Sequence, residues 1–308
     1  MASPFGELTV IVNPHAGKSH VAKEIPELER NLRSRGLAYR LLQTEGRGDA
    51  TRLAREALEA GGRFVVAVGG DGTVHEVVNG MLDPDGRPLV DGAVLGVVAA
   101  GSGCDFIRTF GLPGDATRAC AHLTGDNTYP LDIGRVACTT PAGEASRFFV
   151  NIAEAGLGAA VAARAERMSS RLGQSKYFLS FWLTLPGFRL ATVRIQADRK
   201  TYEGPAYMVV VGNGQYYGGG MKISPRSYPG DGVLDVLVFK GPKSDSFTML
   251  PKIYRGEHLP HDHVEEFRVK NELTIEADRP LPIEADGEIL GATTARFEVL
   301  AQPLAMKL

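Results

Sequence analysis

The sequence predicts an α/β fold: an N-terminal doubly wound parallel sheet followed by a C-terminal antiparallel, β-rich, sandwich-like domain. Three observations carry this. Short apolar, β-branched runs alternate with helical stretches as far as about residue 127. Two of those runs, Val65–Val68 and Val94–Val98, feed directly into glycine-rich turns. Beyond residue 127 short β-rich runs dominate. Alternating strands and helices give a parallel, right-handed sheet, and closely spaced short strands give a sandwich. The expected domains are 1–127 and 128–308, with the last residues free to return to the first domain.

Taken in order, Leu8–Val12 is a strand ending at Asn13-Pro14, and His15–Ser19 reads as a loop. Pro26 suits the first turn of a helix in which Leu28 and Leu32 share a face, and Gly36 ends it. Leu37–Leu42 is a second strand. Asp49 is expected to cap a helix with Leu53, Ala54, Ala57 and Leu58 as its apolar stripe. Val65–Val68 is a third, buried strand. Thr73 and Glu76 have capping-box spacing, so Thr73 is the expected N-cap of a helix reaching about Met81. A fourth strand, Val94–Val98, leads into Gly101-Ser102-Gly103-Cys104-Asp105 and a helical stretch with Phe106, Ile107 and Phe110. In the second domain, strands are expected near 131–136, 147–152, 192–197, 206–212, 233–239, 267–269, 273–276 and 295–300. Helices are expected at 159–171, 176–190 and 244–254.

Composition narrows the class. With 44% hydrophobic and 23% charged residues, the chain reads as globular. Three unpatterned cysteines suggest a reducing compartment, and Met1–Glu7 lacks the basic and apolar blocks of a signal peptide. No run reaches the roughly 18–20 apolar residues that span a bilayer. The expected location is therefore cytoplasmic, peripheral to the inner face of the membrane. A net charge of −2 gives no argument for nucleic acid, and none is expected as a partner. Residues 161–200 nevertheless hold eight basic side chains against two acidic ones. Beside them, Tyr177, Phe178, Phe181, Trp182, Leu185 and Phe188 recur at helical spacing, either as a domain-packing face or as an interfacial patch that meets anionic lipid.

The stretch Gly69-Gly70-Asp71-Gly72-Thr73-Val74-His75 carries the chemistry. It lies where a strand ends and a helix begins, and free N–H groups at a helix N-terminus favour an anion such as phosphate. No Gly-Lys-Ser/Thr follows, which excludes the P-loop, and His75 stands where the dinucleotide fingerprint needs its third glycine. Asp71 cannot itself hold phosphate; it suits a metal-binding or phosphate-orienting role, or a proton acceptor. Asn13, Gly69–Thr73 and Gly101–Asp105 all follow strands, so they converge on one crevice in such a sheet.

The chain resembles the diacylglycerol kinase catalytic-domain family, which includes bacterial lipid kinases and sphingosine kinases. The residues carrying the resemblance are Asn13-Pro14 with Gly17-Lys18, Thr44 before Gly48-Asp49-Ala50, Gly69–Thr73 and Gly101–Phe106. Further along they are Gly212–Met221, Asp231–Val236 and Asp286-Gly287-Glu288. The resemblance implies an ATP-dependent kinase acting on a lipid hydroxyl at a membrane surface, with a diacylglycerol-like substrate. It implies nucleotide contacts from Thr44, Gly69, Gly70, Asp71, Gly72, Thr73, Val74, His75 and Ser102; Asn13 and Asp105, placed in the same crevice by their strand ends, are expected to bind the nucleotide with them. Glu288 would be the catalytic base beside a functional Asp71. Mg²⁺ would be held by the Asp231 carboxylate with the carbonyls of Tyr228 and Val233.

Each assignment has a plainer rival. Asp231-Gly232 and Asp286-Gly287 are also hairpin-turn dipeptides. Lys18 is a phosphate contact or a solvated charge. His258, His261 and His263 read as a polar loop, because no fixed ligand spacing is met. Cys104 departs from the family's usual Asn and offers a weaker donor. Alternative functions are a soluble small-molecule kinase of the NAD kinase and phosphofructokinase superfamily, or an inactive nucleotide- or lipid-binding protein.

Overall fold

The computed structural model describes residues 3–100, 104–114, 120–169, 172 and 175–308, without the side chains of residues 18–20. Gly101, Ser102, Gly103 and Arg171, and the side chain of Lys18, therefore lie outside the described residues. The chain divides into two compact units: Met1–Ile133 with Ala301–Leu308, and Gly134–Leu300.

The first unit is a parallel sheet in the order β4(Val94–Ala99), β3(Phe64–Gly69), β1(Leu8–Val12), β2(Tyr39–Gln43). Every residue of β1, β3 and β4 is buried, as expected for strands covered on both faces. The end of β15(Glu288–Lys307) adds a parallel strand, pairing Ala305 and Met306 with Val94 and Leu95. Helices α1(Ala16–Ser34), α2(Asp49–Glu59) and α3(Asp71–Met81) form the connections. In α2, Ala50, Leu53, Ala54, Ala57 and Leu58 make the buried stripe.

Three local readings are corrected. Residues 15–19 do not form a loop: α1 begins at Ala16, which leaves Pro26 in its interior. Asp49 is the first residue of α2 after a left-handed Gly48, and its carboxylate accepts the N–H groups of Glu45 and Gly46 instead of capping the helix. Thr73 is not the N-cap of α3. Extended Gly70 takes that position, and Glu76 instead accepts the N–H groups of Gly48 and Ala50 at 3.0 and 3.1 Å. Glu76 thus satisfies the open N-terminus of the neighbouring helix, a partner that sequence spacing cannot reveal.

The second unit is antiparallel. One run of strands is β12(Val264–Val269), β11(Leu234–Phe239), β10(Met208–Gly212), β7(Ile152–Gly156), β14(Pro282–Ala285), β15. Another is β15, β13(Glu272–Ala277), β8(Ala191–Ala197), β9(Lys200–Ala206). β5(Thr128–Thr140) begins in the first unit and forms a hairpin with β6(Gly143–Phe149) in the second. Val209, Val211, Val236 and Ile283 from the first run meet Val193, Ile195, Leu273 and Phe297 from the second in one apolar core. This is the sandwich, with alternate residues of each strand turned inward. The outer face of β7, β10 and β11 is covered by α4(Leu157–Glu166), the segment after α5(Ser175–Thr184), and α6(Asp245–Arg255), through Leu157, Leu185, Met249 and Ile253.

Candidate functional site

In the first unit the parallel register sets the strand ends side by side. Val12 is level with Gln43 and Val68, and Gly69 with Ala99. Strand order reverses between β1 and β3, the position where doubly wound sheets bind ligands beyond their carboxyl ends. Asn13 follows β1 and donates its backbone N–H to Val68 O at 3.0 Å. Its side chain reaches Thr73 Oγ1 at 3.4 Å and accepts His15 N–H at 3.0 Å. Buried Thr44 follows β2 and is tied to Val12 O at 2.9 Å. Asn13, Thr44 and Gly69–Thr73 thus lie at adjoining strand ends.

The glycines here have distinct causes. A Cβ on Gly69 would lie 2.4 Å from Thr73 Oγ1, so close packing within the turn excludes a side chain. Among the described residues, a Cβ on Gly72 would meet nothing within 4 Å. Packing against the described residues does not explain that glycine. Val74 and His75 are buried, and His75 O accepts Asn79 Nδ2 at 2.9 Å.

Asp71 is oriented by the second glycine turn. Its carboxylate accepts the N–H groups of Asp105 and Phe106, each at 3.0 Å, and the Cys104 thiol at 3.4 Å. Burial pushes its carboxyl up to about 6, with the backbone hydrogen bonds opposing. Burial, reinforced by the charge of Asp71, holds the Cys104 thiol well above its ordinary value. Buried Asp105 pairs with Arg108 Nε at 3.0 Å.

In the second unit, Asp286 and Gly287 form the two-residue tip between β14 and β15, where Ala285 pairs with Glu288. Asp286 has φ 49° and Gly287 φ 89°. The Asp286 carboxylate accepts three N–H groups, from Val150 at 2.8 Å and from Asn151 and Ile152 at 3.0 Å. That fixes the tip and holds Glu288, half-buried, at the start of β15. The Gly212–Met221 segment is anchored nearby: Asn213 and Gly214 donate N–H to Asn151 O, and Asn213 Nδ2 reaches Val150 O at 2.7 Å.

The Tyr228–Val233 turn closes on itself. Tyr228 O accepts N–H from Gly230 at 2.7 Å and from Asp231 at 3.2 Å, and Asp231 Oδ1 accepts Val233 N–H at 3.2 Å. Arg268 bridges the Asp231 carboxylate to Asp235, reaching Asp235 Oδ1 at 3.1 Å. The Asp231 carboxylate and the Tyr228 carbonyl offer oxygen donors, the chemistry that suits a hard cation such as Mg²⁺. Arg268 supplies the positive charge there in this structure. Among the described residues no cluster of three or more His, Cys, Asp or Glu side chains is placed to hold a metal. His263 Nδ1 is 2.6 Å from Asp245 Oδ2, and buried His258 meets Ile223 O at 3.0 Å.

The apolar stripe of 177–188 splits. Leu185 is buried, and Phe181, Trp182 and Phe188 pack against the core beneath α5. Phe178 (57% exposed), Leu183 (51%) and Phe247 of α6 (66%) face outward. The Trp182 and Phe247 rings lie 4.7 Å apart. Sequence periodicity missed Leu183 and Phe247. It also missed Glu154 and Glu284, whose only signal is a single carboxylate inside an apolar strand.

Comparison with known proteins agrees with this architecture. The diacylglycerol kinase catalytic domain matches residues 7–136, and the YegS C-terminal NAD kinase beta sandwich-like domain matches 151–308. The diacylglycerol kinase of Bacillus subtilis (strain 168) is 29% identical over 291 residues, covering 94% of this chain and 91% of its own. That of Staphylococcus epidermidis (strain ATCC 12228) is 30% identical over 295 residues, covering 95% and 89%. A crystal structure from Bacillus anthracis str. Sterne superposes with a TM-score of 0.79 at 26% identity, covering 99% of this chain and 98% of that one. With both halves matched and the fold shared, the chain belongs to the diacylglycerol kinase catalytic-domain family and is a kinase of that lipid-kinase family.

Proposed function

We propose that this protein transfers the γ-phosphoryl group of ATP to the hydroxyl of a diacylglycerol-like lipid at a membrane surface. The observation that carries the reading is the open first turn of α3 at Gly72, set beside Asn13 and Thr44 at the strand-order reversal. Family membership supports ATP as co-substrate and lipid as acceptor.

Phosphoryl transfer asks for alignment, charge neutralisation and a base. In this reading the N–H groups of the Gly69–Thr73 turn and the α3 N-terminus hold the phosphates. Thr44, Val74, His75, Ser102 and Asp105 complete the nucleotide site. Asp71 braces the second glycine turn and so sets the shape of the phosphate pocket. Glu288 accepts the proton of the lipid hydroxyl as its oxygen attacks phosphorus and the bond to ADP breaks. Asp231, with the carbonyls of Tyr228 and Val233, would hold Mg²⁺, which supplies positive charge in a largely structural role. Phe178, Leu183 and Phe247, beside the basic residues of 161–200, dock on anionic lipid and give the acyl chains access. No helix among the described residues is long and apolar enough to cross a membrane.

The test is a radiolabelled-ATP assay over diacylglycerol, sphingoid bases, phosphatidylglycerol and polyprenols. Label in phosphatidic acid that disappears in Glu288→Gln supports the reading. Label only in a water-soluble acceptor, or full activity in Glu288→Gln, overturns it.

A further inference from the structure

The second unit buries two acids to which the proposed chemistry gives no part. Glu154 of β7 and Glu284 of β14 are direct cross-strand partners, so both side chains leave the sheet on one face, where α4 packs. Both are buried. Their setting is specific. The Glu154 carboxyl accepts the N–H groups of Gly158 and Ala159 in the first turn of α4, and Tyr217 Oη lies 3.5 Å from its Oε2. A Cβ on residue 158 would lie 1.9 Å from Glu154 Oε2, so glycine is what admits the carboxyl group. Glu284 accepts the N–H of Gly287, the residue before Glu288.

Among the described residues nothing basic balances them. The ionisable groups facing the pair are Tyr217 after β10, Tyr207 before it, Glu166 of α4 and Asp286 of the hairpin tip. Among the described residues neither glutamate forms an ion pair, and no cluster of metal-ligating side chains includes them. Two like charges on adjacent strands in an apolar layer cannot both persist without a cation; sharing a proton removes the conflict. Burial accordingly pushes Glu154 up to about 7, and burial with the charge of Glu154 pushes Glu284 up to about 8.

We propose that Glu154 and Glu284 hold one proton between them, and that this pair positions the hairpin tip that carries Glu288. The tip is tied at two points: Asp286 to the N–H groups of Val150, Asn151 and Ile152, and Gly287 to Glu284. Loss of the shared proton sets two full charges across the β7–β14 pairing; their repulsion displaces the Glu284 carboxylate, carrying its Gly287 N–H partner with it, and so shifts the placement of Glu288. The functional consequence rests on the proposed role of Glu288; the shared proton and the link to Gly287 do not.

The deciding experiment is an NMR titration of the full chain from pH 4 to 10, with ¹³C-labelled glutamate carboxyls and ¹⁵N amides. Two glutamates are expected to titrate above pH 6 in coupled steps, and the Gly287 amide to follow the upper step. Glu154→Gln and Glu284→Gln should each leave one such glutamate, with no step that takes the pair to two charges. Where activity is present, its alkaline fall follows that step and is absent in both variants. Titration of every glutamate below pH 5.5, or a Gly287 amide that does not move, overturns the proposal on the wild-type protein alone. A coupled titration in a protein that phosphorylates no lipid leaves this inference standing and removes only the lipid-kinase reading.

Discussion

Asp71 accepts the backbone N–H of Phe106 at 3.0 Å, across 35 residues of sequence, and so ties the first glycine turn to the second. The carboxylate is spent on the 104–106 segment, where the Asp105 N–H and the Cys104 thiol share it. In Asp71→Asn one acceptor oxygen becomes an NH₂ group facing N–H donors. Turnover should fall by about 100-fold or more. The protein should stay folded, with stability reduced by about 1–3 kcal/mol in urea unfolding. Unchanged turnover would remove Asp71 from the site.

Gly69 and Gly72 separate packing from ligand approach. Gly69→Ala drives a Cβ into Thr73 and should cost about 1–3 kcal/mol of stability. Gly72→Ala meets open space near the start of α3 and should be neutral, or stabilising by up to about 1 kcal/mol. It should nevertheless weaken ATP binding in calorimetry. Equal ATP affinity in Gly72→Ala and the wild type would contradict the phosphate-site reading.

Glu288→Gln keeps the size of the side chain and removes the base. The catalytic rate should drop by about 10²–10⁴-fold, while ATP affinity stays within a few-fold of wild type. A parallel loss of ATP affinity would instead indicate a structural role for the hairpin.

Stability should depend on pH through Glu154 and Glu284. Their folded values, about 7 and 8, lie above the ordinary 4.5, so the folded state holds more protons than the unfolded chain between those limits. The stability this gives is complete below about pH 4.5 and is lost as pH rises through 7 to 8. Melting curves should show the Glu154→Gln/Glu284→Gln double variant gaining on wild type across that window. A constant difference would count against the buried acids as the source.

The outward aromatic patch is tested apart from the chemistry. Phe178→Glu/Leu183→Glu/Phe247→Glu should reduce sedimentation with phosphatidylglycerol vesicles by at least about tenfold, given the apolar area withdrawn from lipid. ATP binding should be unaffected. Undiminished sedimentation would assign the patch another role.

Local sequence patterns determined much of this protein. Runs such as Val65–Val68 and Val94–Val98 are apolar and rich in β-branched residues, which suits strands covered on both faces, and both are buried strands here. The α/β-then-β-sandwich order, the Gly69–Thr73 turn and the Asp286-Gly287 tip were all legible because each depends on residues close in sequence. Tertiary structure decided the partners. Glu76 has capping-box spacing from Thr73 yet serves the neighbouring helix at Gly48 and Ala50. Asp71 turns to the 104–106 backbone, Asp231 to Arg268, and Glu154 to the Gly158 N–H, while strand register sets it opposite Glu284, 130 residues later. The outward face of α5 was set by what the core left uncovered, with Phe247 contributed by another helix. A polar side chain's partner is whichever group the fold brings within about 3 Å, and that distance is not written in sequence separation.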